Sequence, residues 1–190
     1  MTLAIDVDGV LADFCGAVNE LIYNSSTCHP LPGWESWALE DNIPACCSVH
    51  INAAMRSAGW CAAIPAIAGA CEAVREAIDA GVSIILVTAP LDGSPYWMHE
   101  RQGWIAQHIG ADVPVIFAGG AHKQYIRCVG AVEDNERNLR SMPAYFKYLI
   151  DRPYNRGATG GGLRVDHVRD AIRSYALVTR QVFPMASEQA

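Results

Sequence analysis

The run VSIILVT, residues 82–88, constrains the fold most. It is too continuously apolar for a strand with one wet face, and a run of this kind sits in a sheet covered on both sides. Runs of similar character cover residues 2–8, 113–117, 129–133 and 145–150, the last read as the final strand. Pro114 puts the run 113–117 at an edge or a strand start. Helical spacing fills the gaps. Leu11, Phe14, Val18, Leu21 and Ile22 predict a helix over 11–23. Ile67, Ala70, Cys71, Val74, Ala77 and Ile78 form one helical face, and Gly81 stops it. Trp97, Trp104, Ile105 and Ile109 predict a helix over 95–109, closed by Gly110. Short helices are expected over 122–128 and 135–142. A longer one is expected over 166–180, with Val168, Ile172, Tyr175 and Ala176 inward and Asp166 as its N-cap.

Strands alternating with amphipathic helices predict an α/β fold, a Rossmann-like parallel sheet with helices on both faces. A chain of 190 residues suits one domain with an inserted subdomain. The insertion is visible at residues 24–64, where Pro30, Pro32, Gly33 and Pro44 punctuate the chain and Trp34, Trp37 and Trp60 crowd together. It reads as irregular or short-helical, with one helix over 45–58.

Such sheets bind ligands at the carboxyl ends of their strands. Asp6, Asp8 and Gly9 follow the first strand, Thr88 and Ala89 the second. The loop with Lys123 follows the third, and Glu133, Asp134 and Asn135 the fourth. Carboxylates packed together repel, and burying them is costly unless positive charge sits among them. Acids from two strands suit a hard cation such as Mg2+. Thr88 can donate to a phosphate oxygen, and Lys123 supplies a point charge for the same anion. One acid can then attack phosphorus while another moves a proton.

Charge and cysteines narrow the partners. A net charge of -6 argues against a protein that coats nucleic acid. There are two lysines, Lys123 and Lys147, so a lysine at a strand end carries weight. Seven cysteines without a CxxC pair, and no signal-peptide pattern, predict reduced thiols in a cytoplasmic protein. No apolar run is long enough to span a membrane.

DVDGVLADF at 6–14 closely resembles the first motif of the haloacid dehalogenase superfamily. LVTAP at 86–90 resembles the second, Lys123 the third, and VED at 132–134 the acidic fourth, in the right order. Within that superfamily the likeness is to the 5'(3')-deoxyribonucleotidases. It rests on DGVLADF, on IPAIAGA at 64–70, on a lysine ten residues before the acidic motif, and on PYN at 153–155. The resemblance implies a Mg2+-dependent phosphomonoesterase that hydrolyses (deoxy)nucleoside monophosphates through an aspartyl-phosphate. Asp6 would be the nucleophile, and Asp8 would protonate the leaving oxygen and then activate water. Asp6, the backbone carbonyl of Asp8 and Asp134 would hold Mg2+. Thr88, Ala89 and Lys123 would bind phosphate, and Phe14 would lie against the base. Residues 1–14 and 65–190 would form the core domain and 15–64 a small helical cap. By analogy with relatives, a homodimer is expected. Two departures stand out: Glu133 replaces a common Asp, and AGGAHKQ has no Arg or Asp before its lysine. Alternative functions are a phosphatase for another small phosphorylated metabolite and a non-catalytic nucleotide-binding protein.

Other features read as structural. Asp13 is expected in the first turn of a helix. Cys28, His29, Cys46, Cys47 and His50 lack zinc-knuckle spacing. Trp34, Trp37 and Trp60 fit base stacking and cap packing equally well. His99 and His108 read as surface or packing residues. Gly160, Gly161 and Gly162 read as a mobile loop, and Arg152 and Arg156 as solvating residues.

Overall fold

The computed structural model describes residues 1–25 and 34–182. Among them a six-stranded sheet runs in the order β3-β2-β1-β4-β5-β6. The strands are β1 (Thr2–Asp6), β2 (Ser83–Thr88), β3 (Val115–Phe117), β4 (Gly130–Glu133), β5 (Phe146–Ile150) and β6 (Leu163–Val165). Every pairing is parallel. The chain moves outward from β1 to β3, then returns to β4 on the other side of β1. The strand order therefore reverses at β1, and the crevice beyond its carboxyl end is where such sheets bind ligands.

Helices cover both faces. Leu3, Ile5, Leu86 and Val132 point into one core with α4 (Ala70–Asp79), α5 (Trp97–His108) and α7 (Val168–Val182). Ala4, Val87, Ala131 and Leu149 point the other way, onto Ile126, Leu139 and Met142 around α6 (Glu136–Ser141). This alternation is the period of two that a strand imposes. Gly81 sits just past α4 with φ 83°, a backbone angle suited to glycine.

The helical segment after β1 holds α1 (Phe14–Tyr23), α2 (Leu39–Asn42), α3 (Ser48–Met55) and a 3₁₀ turn at Cys61–Ala63. Val18, Ile22, Trp34, Ile43, Cys47, Ile51 and Met55 give it an apolar cluster of its own.

Several expectations are corrected. The sheet does not end at β5. The chain adds β6, which sequence reading missed because it is three residues long and its Leu163 is exposed. The glycines before it are not free. A Cβ at Gly162 would lie 2.4 Å from the Lys147 carbonyl oxygen, so this loop packs against β5. The N-cap of α7 is His167, whose Nδ1 accepts the Arg169 N–H at 3.1 Å, rather than Asp166. Ala171, not Ala176, is among its fully buried residues. The helix expected at 45–58 shortens to Ser48–Met55, and that at 122–128 becomes a 3₁₀ turn at Gly120–Tyr125. The edge position implied by Pro114 is where β3 lies.

Candidate active site

The site begins where β1 runs out. Past Asp6 the chain folds into a tight loop in which the Val7 carbonyl accepts the N–H groups of Leu11 and Ala12 at 2.8 and 2.9 Å. Leu11 and Ala12, expected in the first helix, are spent in this loop and fully buried. The helix starts only at Phe14, because the Asp13 carboxylate accepts the Gly16 N–H at 3.0 Å as its N-cap. The IPAIAGA run holds the loop from the side, with Asp13 N–H donating to Pro65 at 2.8 Å and Ile67 N–H to Leu11 at 2.7 Å.

Gly9 is the hinge of the loop. Its φ is 76°, and a Cβ there would sit 1.9 Å from Asp134 Oδ2. No other residue lets the loop approach the end of β4 so closely. The Arg152 guanidinium donates to the Gly9 carbonyl at 2.9 Å, so Arg152 clamps the loop, which corrects the solvating role expected for it. Arg156 is well exposed and faces Asp151 at 3.5 Å.

Three buried carboxylates meet across β1 and β4. Oxygen atoms of Asp6, Glu133 and Asp134 lie within 4.8 Å of one another. The Lys123 ammonium lies 2.9 Å from Asp6 Oδ1 and 2.5 Å from Glu133 Oε1, and is itself 1% exposed. Burial alone lowers a lysine pKa, but Asp6 and Glu133 reverse this and hold Lys123 above its ordinary value. Burial raises the Glu133 carboxyl, with Asp6 adding to the effect. Its Oε2 has no hydrogen-bond partner among the described residues. Burial, and then the charge of Asp6, push Asp134 up to about 7.

The PYN motif organises Asp134. The Tyr154 hydroxyl donates to Asp134 Oδ2. The Asn155 amide donates to the Asp134 and Ile150 carbonyls at 2.8 and 2.7 Å, tying the ends of β4 and β5 together.

Asp8 stands apart from this cluster. Its Oδ1 is 2.6 Å from Arg101 Nη2 and its Oδ2 is 3.4 Å from the Thr88 hydroxyl. Burial raises the Asp8 carboxyl although Arg101 pulls it down. Sequence reading missed Arg101. The signal was present: Trp97, Arg101 and Trp104 share one helical stripe, so an Arg at that spacing is buried with the tryptophans.

A cavity of about 490 Å³ opens over these groups, lined by Asp6, Asp8, Lys123, Asp134, Ala89 and Phe14 among others. Thr88 is fully buried beneath it. Phe14 packs edge-on against Trp34, Trp60 and Trp97, with ring centroids 5.7–6.4 Å away. Trp34 is buried, whereas Trp37 is 58% exposed at the cavity rim.

The remaining polar groups are structural. His99 is exposed, and the His108 ring lies 4.5 Å from Trp104. Cys28 and His29 lie outside the described residues. Cys46 is disulfide-bonded, which corrects the reading that every thiol is reduced. Burial pushes the free thiols of Cys15 and Cys61 up to about 12, so they are poor nucleophiles. No helix among the described residues is long and apolar enough to cross a membrane.

The parallel sheet flanked by helices is the fold of haloacid dehalogenase-type hydrolases of known structure. An HAD family hydrolase from Deinococcus radiodurans, solved with bound phosphate and sodium, has this fold with a TM-score of 0.61. It is 16% identical, over 93% of this chain and 95% of that one. D,D-heptose 1,7-bisphosphate phosphatase from B. bronchiseptica, solved with magnesium and phosphate, matches with a TM-score of 0.51. It is 15% identical, over 94% of this chain and 99% of that one. The family described as "5' nucleotidase, deoxy (Pyrimidine), cytosolic type C protein" matches residues 1–182, and the chain belongs to it. A Bordetella pertussis protein named "Putative 5'(3')-deoxyribonucleotidase" is 25% identical over 172 residues, covering 84% of this chain and 88% of the relative. The protein is an HAD-family phosphatase, a phosphoric monoester hydrolase.

Proposed function

We propose that the chain hydrolyses deoxynucleoside monophosphates to nucleoside and phosphate, with Asp6 as nucleophile. The observation that carries this reading is the pairing of Asp6 with Lys123 at 2.9 Å on the floor of a cavity rimmed by Phe14 and tryptophans. Membership of a nucleotidase family supports it.

In this reading Lys123 holds one Asp6 oxygen at 2.9 Å and draws the phosphate towards it. Thr88 and Ala89 lie beside the phosphate. An Asp6 oxygen attacks phosphorus, the ester P–O bond breaks, and the leaving nucleoside oxygen takes a proton from Asp8. Asp8 then takes a proton from water, whose oxygen attacks phosphorus as the bond to Asp6 breaks. Phosphate leaves and Asp6 is restored.

The oxygen-only donor set fits a hard divalent cation, and the unpartnered Glu133 Oε2 marks a place short of positive charge. Asp6, Asp134 and the Asp8 carbonyl would hold Mg2+, with Glu133 beside them. When bound, the ion offsets the repulsion between carboxylate and phosphate. Residues 15–64 serve as the cap, and Phe14 meets the base at its edge.

The test is phosphate release from a panel of ribo- and deoxyribonucleoside monophosphates, with Mg2+ or with chelator, for wild type and Asp6→Asn. Mg2+-dependent release that favours deoxynucleotides and vanishes in Asp6→Asn supports the reading. Release confined to sugar phosphates overturns the substrate assignment. Undiminished release by Asp6→Asn overturns the nucleophile.

A further inference from the structure

Arg101 is fully buried, yet its guanidinium makes one ion pair. Nη2 meets Asp8 Oδ1 at 2.6 Å, and among the described residues Nε and Nη1 have no hydrogen-bond partner. The group lies 5.2 Å from the Trp97 ring and 5.3 Å from the Trp104 ring. Trp104 is in turn pinned by its indole N–H, which donates to the Ile64 carbonyl at 2.7 Å. Two rings therefore hold the guanidinium in place, and only one of its nitrogens is used.

As a stabilising element this is a poor arrangement. A buried cation with two unmet donors gains little stability from its single pair. What the arrangement supplies is direction. Asp8 is fixed at its backbone by the tight loop and at one oxygen by Arg101. About 24% of the Asp8 side chain remains exposed, and Asp8 lines the cavity. Among the described residues Oδ2 has only the long 3.4 Å hydrogen bond from Thr88.

We infer that Arg101 is a positioning residue that takes one oxygen of Asp8 and leaves the other to exchange the proton with the leaving group. This rests on the role proposed above for Asp8. The proton moves from Asp8 Oδ2 to the ester oxygen as the P–O bond breaks, and it is replaced by one from the attacking water. Arg101 neither gives nor receives a proton.

The inference separates from a merely structural role through the leaving group. An aryl phosphate releases a stable phenolate and needs little help from an acid, whereas an alkyl phosphate depends on it. The experiment compares kcat/KM for p-nitrophenyl phosphate with kcat/KM for the alkyl phosphate turned over fastest in the panel. It uses wild type, Arg101→Met and Arg101→Lys. We expect Arg101→Met to lose about 100-fold on the alkyl ester and less than about 3-fold on the aryl ester, the general-acid share of catalysis being of that order. Its melting temperature should fall, because Asp8 loses its buried counter-ion, so both esters are compared at a temperature where the variant is folded. Arg101→Lys should recover part of the alkyl activity and also covers the case in which Arg101→Met does not fold. Equal losses on both esters, or no loss on either, in whichever variant folds, overturn the inference alone. Wild type inactive on both esters overturns the proposed function and this inference with it.

Discussion

Lys123 Nζ lies 2.9 Å from Asp6 Oδ1, with both groups almost wholly withdrawn from water. The lysine is also bonded to Glu133, so one cation serves two buried anions. Removing it leaves both uncompensated, which typically costs about 3–5 kcal/mol. Lys123→Met should therefore melt well below wild type and lose at least about 100-fold in kcat/KM. Mg2+ should raise its melting temperature more than that of wild type, because the ion replaces part of the missing charge. An equal Mg2+ shift in both proteins would show that ion and lysine do not share those carboxylates.

Gly9 is replaceable only at the expense of the site. Alanine there needs a left-handed backbone and collides with Asp134 Oδ2 and with the Tyr154 hydroxyl, which would be 2.8 Å from the new Cβ. Strain of this kind costs about 1–3 kcal/mol before any displacement of Asp134. Gly9→Ala should show a lower urea midpoint together with weakened Mg2+ binding by titration calorimetry. Unchanged Mg2+ affinity would mean that Asp134 tolerates the displacement.

The Tyr154 hydroxyl donates to Asp134 Oδ2. Tyr154→Phe removes one donor and little else, so the protein should fold normally. Loss of such a supporting contact commonly lowers metal affinity about 10–100-fold. The check is the Mg2+ concentration giving half-maximal activity, which should rise while kcat at saturating Mg2+ changes little. A fall in kcat at saturating Mg2+ would instead assign the hydroxyl a part in the chemistry.

Metal-free stability should depend on pH in an unusual direction. Burial, with Asp6 nearby, raises Asp134 from 3.8 to about 7, and burial also raises Asp8 and Glu133. Between those two values the folded state binds more protons than the unfolded state, so stability falls as pH rises. The urea midpoint in chelator should drop from about pH 5 to about pH 7.5, whereas ordinary salt-bridged carboxylates are ionised in both states there and leave it flat. Mg2+ should restore stability chiefly at the upper end, where Asp134 is ionised. A midpoint that stays flat over this range in chelator would show that these carboxyls are already ionised at low pH.

The sheet and the groups at its edge are legible in the order of residues along the chain. VSIILVT and its sister runs are too apolar to be exposed, and their alternation with helices leaves little choice but parallel strands. Residues directly after a strand must lie at one edge of such a sheet, so Asp6, Thr88, Lys123 and Asp134 were named from chain position alone. Local periodicity leaves β6 hidden, since its three residues have no apolar period, and also the start of the first helix, where Asp13 caps and Leu11 and Ala12 serve the loop instead. Nor could it pair groups far apart in the chain. Arg101 with Asp8, Arg152 with Gly9 and Tyr154 with Asp134 are separated by 93, 143 and 20 residues. Each pair depends on how a helix or loop packs against the sheet. Tertiary structure alone decided which oxygen of Asp8 is taken and which donor orients Asp134, because distance and burial, not order along the chain, set the strength of those contacts.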